Sequence, residues 1–200
     1  MTCRVVIPAK AKAQGKSRLA AVLASDERER LIDAMLAHVI EVARGCRSVA
    51  EVCVVGPARE GLPQGILMLP DPGEGLNAAL TAALTVPLPQ TASGQPDRVI
   101  VLAADLPSLS TGEVDQLCAA PPSAIAIASD RHRTGTNALS LPLPEAAGFR
   151  FAFGAGSYAL HCEEARRLGL MVNSIHSPGL ANDIDEPADL AELSCAVQRV

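Results

Sequence analysis

"RVIVLAADLPSLS", residues 98–110, decides the fold. Val99 to Ala104 carry neither charge nor polar side chain, so a strand made from them has no side that can face water. Such a strand belongs to a largely parallel sheet covered by helices on both faces. Asp105 closes the apolar run and Pro107 stops any continuation of sheet or helix. A carboxylate is thereby set at the carboxyl edge of a central strand, where open α/β sheets bind ligands. Burial there raises a carboxylate's pKa unless a cation compensates, so Asp105 calls for a partner. A second reading, in which Asp105 only caps the next turn, stays open.

Working outward, short apolar runs alternate with amphipathic stretches. Strands are expected at 4–8, 51–56, 65–69, 98–103, 124–128, 137–142 and 170–176. The best helix starts near Asp26 as its N-cap and carries Leu31, Ile32, Met35, Leu36, Val39, Ile40 and Ala43 at helical spacing. Further helices are expected at about 75–86, 110–119, 156–168 and 186–197, the second of these capped at Ser110 or Thr111. The Pro/Gly/Ser/Gln stretch 86–97 reads as a surface loop, which leaves residues 1–200 as a single domain.

A chain of 200 residues with 48% hydrophobic side chains can bury a sizeable core. Its apolar runs fall short of the roughly 18 residues needed to span a bilayer, and the N-terminus lacks the long apolar stretch of a signal peptide. A cytoplasmic protein with no membrane partner is the expectation. The six cysteines are scattered among apolar neighbours without a C-x-x-C pair, which points to buried thiols. A net charge of −5, one Tyr, three Phe and no Trp exclude a basic, aromatic nucleic-acid surface.

Against this background Lys10, Lys12 and Lys16, the only lysines, crowd one loop with Arg18 behind them. "GKS" at 15–17 is not a Walker A motif, because position 10 is lysine where that motif needs glycine. The loop nevertheless leaves the first strand of the sheet, where ammonium groups can neutralise a triphosphate. A solvated basic loop is the other reading. "GEGLNA", 73–78, matches a dinucleotide fingerprint but lacks an acid at the end of the next strand, since Asp97 precedes its strand. It reads instead as a glycine turn entering a helix, an ordinary capped turn or one offering backbone amides, with Gly73, Gly75 and Asn77, to a nucleotide.

"ANDIDEPADL", 181–190, carries Asp183 and Asp185 around Ile184. In an extended segment both carboxylates face one side while Ile184 anchors in the core. Convergent carboxylates suit magnesium, a hard cation that keeps sites open for phosphate oxygens; acids decorating a helix start at Pro187 are the alternative. In "FGAGS", 153–157, amides near Gly154, Gly156 and Ser157 at a helix start form a small-anion site. Thr134, Thr136 and Asn137 offer polar groups just before a strand. His132 and His161 fall into no catalytic order with a serine and an acid.

Taken in order, "PAKAKAQGKSRLA", "DPGEGLNAAL", "LAADLP", "GTNAL", "FGAGS" and "NDIDEPADL" span nearly the whole chain, and the set resembles the 2-phospho-L-lactate guanylyltransferase family of coenzyme F-420 biosynthesis. The resemblance implies a nucleotidyltransferase α/β fold similar to glycosyltransferase-A, and transfer of GMP from GTP to a three-carbon phosphorylated acid with release of pyrophosphate, using magnesium. It makes Asp105, Asp183 and Asp185 the metal ligands. The acid's phosphate falls near Thr136, Gly154, Gly156 and Ser157, and GTP near the lysine loop and the 71–80 turn. Which of Lys10, Lys12 and Lys16 meets phosphate is left open.

The expected chemistry is direct in-line attack by the acid's phosphate on the α-phosphorus, with Lys16, Arg18 and magnesium neutralising charge around Asp105. Rival readings are a nucleotidyltransferase acting on a sugar phosphate or molybdopterin, a non-catalytic GTP-binding regulator and, more distantly, a dehydrogenase resting on "GEGLNA". The acceptor among 2-phospho-L-lactate, phosphoenolpyruvate and 3-phosphoglycerate stays open, as does assembly into a homodimer.

Overall fold

The computed structural model describes residues 1–9, 16–69, 71–85, 96–190 and 193. One seven-stranded sheet organises them: β1 (Cys3–Pro8), β2 (Val49–Val55), β3 (Leu67–Leu69), β4 (Arg98–Leu102), β5 (Ala124–Ser129), β6 (Thr136–Pro142) and β7 (Met171–Ser174), in the order β3-β2-β1-β4-β6-β5-β7. Pairing is parallel between β1, β2, β3 and β4 and between β5 and β7, while β6 runs antiparallel to both β4 and β5. β4, in which four apolar residues follow Arg98, is the middle strand, buried along its whole length. Among the described residues five helices flank the sheet: α1 (Ser25–Arg44), α2 (Leu76–Thr85), α3 (Thr111–Cys118), α4 (Ser157–Arg167) and α5 (Pro178–Ala181).

Because side chains alternate along a strand, each central strand supplies two layers. Val5, Ile7, Ile100 and Leu102 pack with Leu36, Val39 and Ile40 of α1 and Val114 and Leu117 of α3. Val6, Val99, Val101 and Leu139 face the other way, toward Ala79 and Leu80 of α2 and Cys162 and Ala165 of α4. The five described cysteines are buried and free, as their apolar neighbours suggest. No helix among the described residues is long and apolar enough to cross a membrane.

Several boundaries differ from the sequence reading for local reasons. The N-cap of α1 is Ala24, not Asp26: Glu27 reaches back to accept the Ala24 N–H at 2.8 Å, while Asp26 sits in the first turn and pairs with Arg30 at 3.2 Å. The helix expected over 186–197 begins as a 3-10 turn, Pro187–Asp189, and residues 191, 192 and 194–197 lie outside the described residues, as do residues 86–95 of the expected surface loop. The short helix α5 carries no periodic signal in its four residues and is not foreseen.

Two features fix the carboxyl edge of the sheet. The chain winds from β1 outward through β2 and β3, then returns to place β4 on the other side of β1, so the topological switch lies between β1 and β4. Beside it, a small cluster of Leu19, Met35 and Ile184 clamps a 3-10 helix (Ser17–Ala21) and the 182–185 segment against α1. That segment is also held through α5. Glu113 of α3 accepts hydrogen bonds from the Gly179 N–H at 2.9 Å and from the Ser110 N–H at 2.8 Å. A Cβ on Gly179 would stand 2.2 Å from a Glu113 oxygen and 2.6 Å from the Ser108 carbonyl.

Gly179→Ala should therefore cost about 1–3 kcal/mol of stability, the usual scale of overpacking, in urea denaturation. Gly112→Ala in α3, where an added Cβ meets nothing within 4 Å, should cost nothing. Equal stability of the two variants would contradict this packing.

Candidate active site

Three carboxylates meet at the switch point. Asp105 follows the end of β4, held by the buried Leu106 and Leu109. Its backbone carbonyl accepts the Ile184 N–H at 3.3 Å, which docks the C-terminal segment onto the β4 loop. With Ile184 buried, Asp183 and Asp185 flank it, and one oxygen from each of Asp105, Asp183 and Asp185 lies within 4.8 Å of the others. Burial raises the Asp183 pKa, and the charges of Asp105 and Asp185 push the same way, against a 3.2 Å hydrogen bond donated by Asn137 Nδ2. The Asn137 amide also donates to the Leu180 carbonyl at 3.0 Å, so it aligns the acidic segment from β6.

Lys16 answers the cluster's charge. Its Nζ is hydrogen-bonded to Asp105 Oδ2 and lies 2.9 Å from Asp185 Oδ1, with the side chain only 8% exposed. Burial disfavours the ammonium, but the two carboxylates outweigh it and hold the Lys16 pKa above its ordinary value. The backbone at Lys16 is left-handed, φ 54°, at the N-cap of the 3-10 helix anchored by Leu19. Arg18 projects outward on that helix, 70% exposed and 3.6 Å from Glu186. Lys10 and Lys12 lie outside the described residues.

A fourth carboxylate, Asp189, supports the first three. Its Oδ2 accepts the N–H groups of Asp185 and Glu186 at 2.8 and 2.7 Å, and its Oδ1 pairs with Arg131 at 2.5 Å. Burial opposes its charge, yet the two amides and Arg131 hold its pKa below the ordinary value. Sequence reasoning missed this group. An acid two residues past Pro187, in the first turn of a helical segment, is a cap signature that could have found it.

Gly154, Gly156 and Ser157 lie at the start of α4, and Thr136 is tied to the same helix through His161. Gly156 is the N-cap of α4 with φ 71°, and the Tyr158 N–H donates to the Thr134 carbonyl at 3.1 Å, tying the helix start to the approach to β6. An added Cβ at Gly154 or Gly156 meets nothing within 4 Å, so the loop is open on that side. Thr136 is bonded to the fully buried His161 of α4, Oγ1 to Nδ1 at 3.0 Å, and His161 Nε2 accepts the Ala152 N–H at 3.0 Å. Burial pushes the imidazole pKa down to about 4, against a smaller opposing effect of Glu164. His132 is exposed beside Arg131.

Gly73 and Gly75 form the turn before α2, where the Gly73 N–H donates to Asp71 Oδ1 at 2.8 Å. Asn77 does not present a free amide there: its Oδ1 accepts the Phe153 N–H at 2.8 Å and its Nδ2 donates to the Phe153 carbonyl at 3.2 Å. It couples the Gly73 turn to the Gly154 loop.

This architecture is that of the nucleotidyltransferase and glycosyltransferase-A-like proteins. A putative nucleotide-diphospho-sugar transferase from Desulfovibrio desulfuricans superposes with a TM-score of 0.71 at 18% identity, covering 100% of this chain and 98% of that one. The model of the Guanylyl transferase CofC like family matches residues 3–196, and the chain belongs to that family. A phosphoenolpyruvate guanylyltransferase from Sphaerobacter thermophilus is 42% identical over 97% of this chain and 93% of its own length. A 2-phospho-L-lactate guanylyltransferase from Haloarcula marismortui is 33% identical over 89% of this chain and 79% of its own.

Lys16→Met removes the ammonium that offsets three carboxylates. In the absence of added metal it should lower stability by roughly 1–3 kcal/mol, a value discounted for the exposure of Asp185, and it should tighten Mn²⁺ binding measured without nucleotide. Unchanged stability together with weaker Mn²⁺ binding would contradict this pairing.

Proposed function

We propose that this chain, as one domain, is a magnesium-dependent guanylyltransferase that transfers GMP from GTP to a three-carbon phosphorylated acid and releases pyrophosphate, in coenzyme F-420 biosynthesis. The observation that carries the reading is the convergence of Asp105, Asp183 and Asp185 with Lys16 at the switch between β1 and β4. Phosphoenolpyruvate is the favoured acceptor, supported by the 42% identical relative of that name; 2-phospho-L-lactate and 3-phosphoglycerate are the alternatives.

The donor set fits magnesium: carboxylate oxygens only, two of the residues half-buried and Asp185 exposed. Asp105, Asp183 and Asp185 would hold it, and bound there it supplies charge neutralisation for the triphosphate. The remaining work falls to the chain. Lys16, with Lys10 and Lys12 of the same loop and Arg18 beyond it, offsets the negative charge that gathers on the departing pyrophosphate. The turn at Gly73 and Gly75 receives the nucleotide, and Asn77 keeps it in register with the Gly154 loop through Phe153. Thr136, the amides at Gly154 and Gly156, and Ser157 at the start of α4 bind the acid's phosphate.

In the reaction a phosphate oxygen of the acid attacks the α-phosphorus of GTP. A new P–O bond forms as the bond to the β-phosphate's bridging oxygen breaks, and pyrophosphate leaves. The nucleophile is already an anion, so no general base is needed and catalysis is positioning plus charge neutralisation.

Purified protein with GTP and Mg²⁺ should release pyrophosphate when phosphoenolpyruvate is added, and not with ATP in place of GTP. Asp105→Asn should lower that rate by about 100-fold or more, the scale of a lost electrostatic contact in catalysis, with an unchanged circular dichroism spectrum. Near-normal turnover in this variant would remove Asp105 from the mechanism. GTP binding without pyrophosphate release, with any of the three acids, would favour a regulator over an enzyme.

A further inference from the structure

The buried His161 has no place in the nucleotidyl transfer itself, yet its hydrogen bonds dictate what Thr136 can do. The Ala152 N–H points at Nε2 from 3.0 Å, and a backbone amide can only donate. Nε2 must therefore carry a lone pair, because a protonated Nε2 would set two N–H groups against each other. In a neutral imidazole the single proton is then on Nδ1. Nδ1 lies 3.0 Å from Thr136 Oγ1, so the ring donates and the hydroxyl accepts.

The consequence falls on the hydroxyl hydrogen. Thr136 is buried at the start of β6, and among the described residues its Oγ1 has no other hydrogen-bond partner. With its oxygen engaged by His161, its own proton has no internal acceptor and is left for a ligand atom that accepts, as an unprotonated phosphate oxygen does. The ring is well fixed for this task. It is fully buried, 4.7 Å centroid to centroid from Phe153 and 5.7 Å from Phe149, and the same residue secures Ala152 on the approach to Gly154.

We propose that His161 is a positioning residue for the acceptor acid: its Nδ1–H tautomer, set by the Ala152 amide, forces the Thr136 hydroxyl to act as a donor toward the acid's phosphate. The inference rests on the reading of Thr136 as a phosphate-binding residue. It makes the site selective for anions that present an acceptor oxygen at that position, and it separates His161 from any proton transfer in the reaction.

Imidazole ¹⁵N NMR of the full-length protein tests the first half without activity. The His161 signals, assigned by their loss in His161→Gln, should show protonated Nδ1 and unprotonated Nε2; an Nε2–H tautomer or an imidazolium at neutral pH overturns the proposal. Kinetics with phosphoenolpyruvate and GTP test the second half. His161→Gln keeps an acceptor for Ala152 but loses the donor to Thr136, and should raise the KM for the acid roughly tenfold or more while leaving the KM for GTP unchanged. His161→Asn retains a donor near Nδ1 and should recover most of that loss. In a Thr136→Val background, His161→Gln should add nothing. Additive losses, or equal rises in both KM values, mean a purely structural histidine and overturn the proposal. The expected tautomer in a protein that binds none of the three acids overturns the hydroxyl's role and the acceptor reading together, a result distinct from a wrong tautomer.

Discussion

Three carboxylates held within 4.8 Å of one another repel, and the protein must bring a cation to them to keep them there. Lys16 is that cation in the structure, and much of the surrounding architecture serves the meeting. The apolar run 99–104, most of it in β4, delivers Asp105 to the carboxyl edge. Ile184, buried between Leu19 and Met35, turns Asp183 and Asp185 toward it, and Leu19 draws Lys16 in from the other side. The same three apolar residues thus link the 3-10 helix that follows Lys16 to the acidic segment, so loss of that small cluster would part the ammonium from its carboxylates. The outer shell repeats the logic, with Asn137 on Asp183, Asp189 on two amides, and Arg131 on Asp189.

The second organising feature is a pair of side chains that join regions far apart in sequence. Asn77 pairs with both backbone groups of Phe153, as a strand neighbour would, and so locks the glycine turn before α2 to the glycine loop before α4. His161 does the same between Ala152 and Thr136. If the Gly73 turn holds the nucleotide and the Gly154 loop the acid, as proposed, this matters because the two must stay in register to within fractions of an ångström for in-line attack. Polar side chains satisfied on both sides are stiffer spacers than apolar contacts.

The fold and the three acids were legible in the sequence because each rests on a local pattern. An uncharged run ending in Asp105 and an acid on either side of Ile184 reveal their geometry without any knowledge of partners. The antiparallel direction of β6 was not legible, since an apolar strand buried on both faces reads alike in either orientation. Nor was the use of Asn77, because the demand for it comes from the backbone of Phe153, far along the chain. Arg131 escaped for the same reason, whereas Asp189 bonds the nearby amides of Asp185 and Glu186 as a local cap, and α1 begins earlier than expected because Glu27, rather than Asp26, satisfies the free amide. Long-range partners leave no mark in a short window of sequence, whereas strand ends and alternation do.

The proposed mechanism stands on the carboxylate cluster as a divalent-cation site. Titration of Mn²⁺ into the full-length protein, followed by electron paramagnetic resonance in the presence of GTP, tests it directly. Saturable binding is expected, and Asp183→Asn should weaken it severely while the variant stays folded and still binds GTP without metal. Mn²⁺ binding of unchanged strength in Asp183→Asn would contradict the metal site.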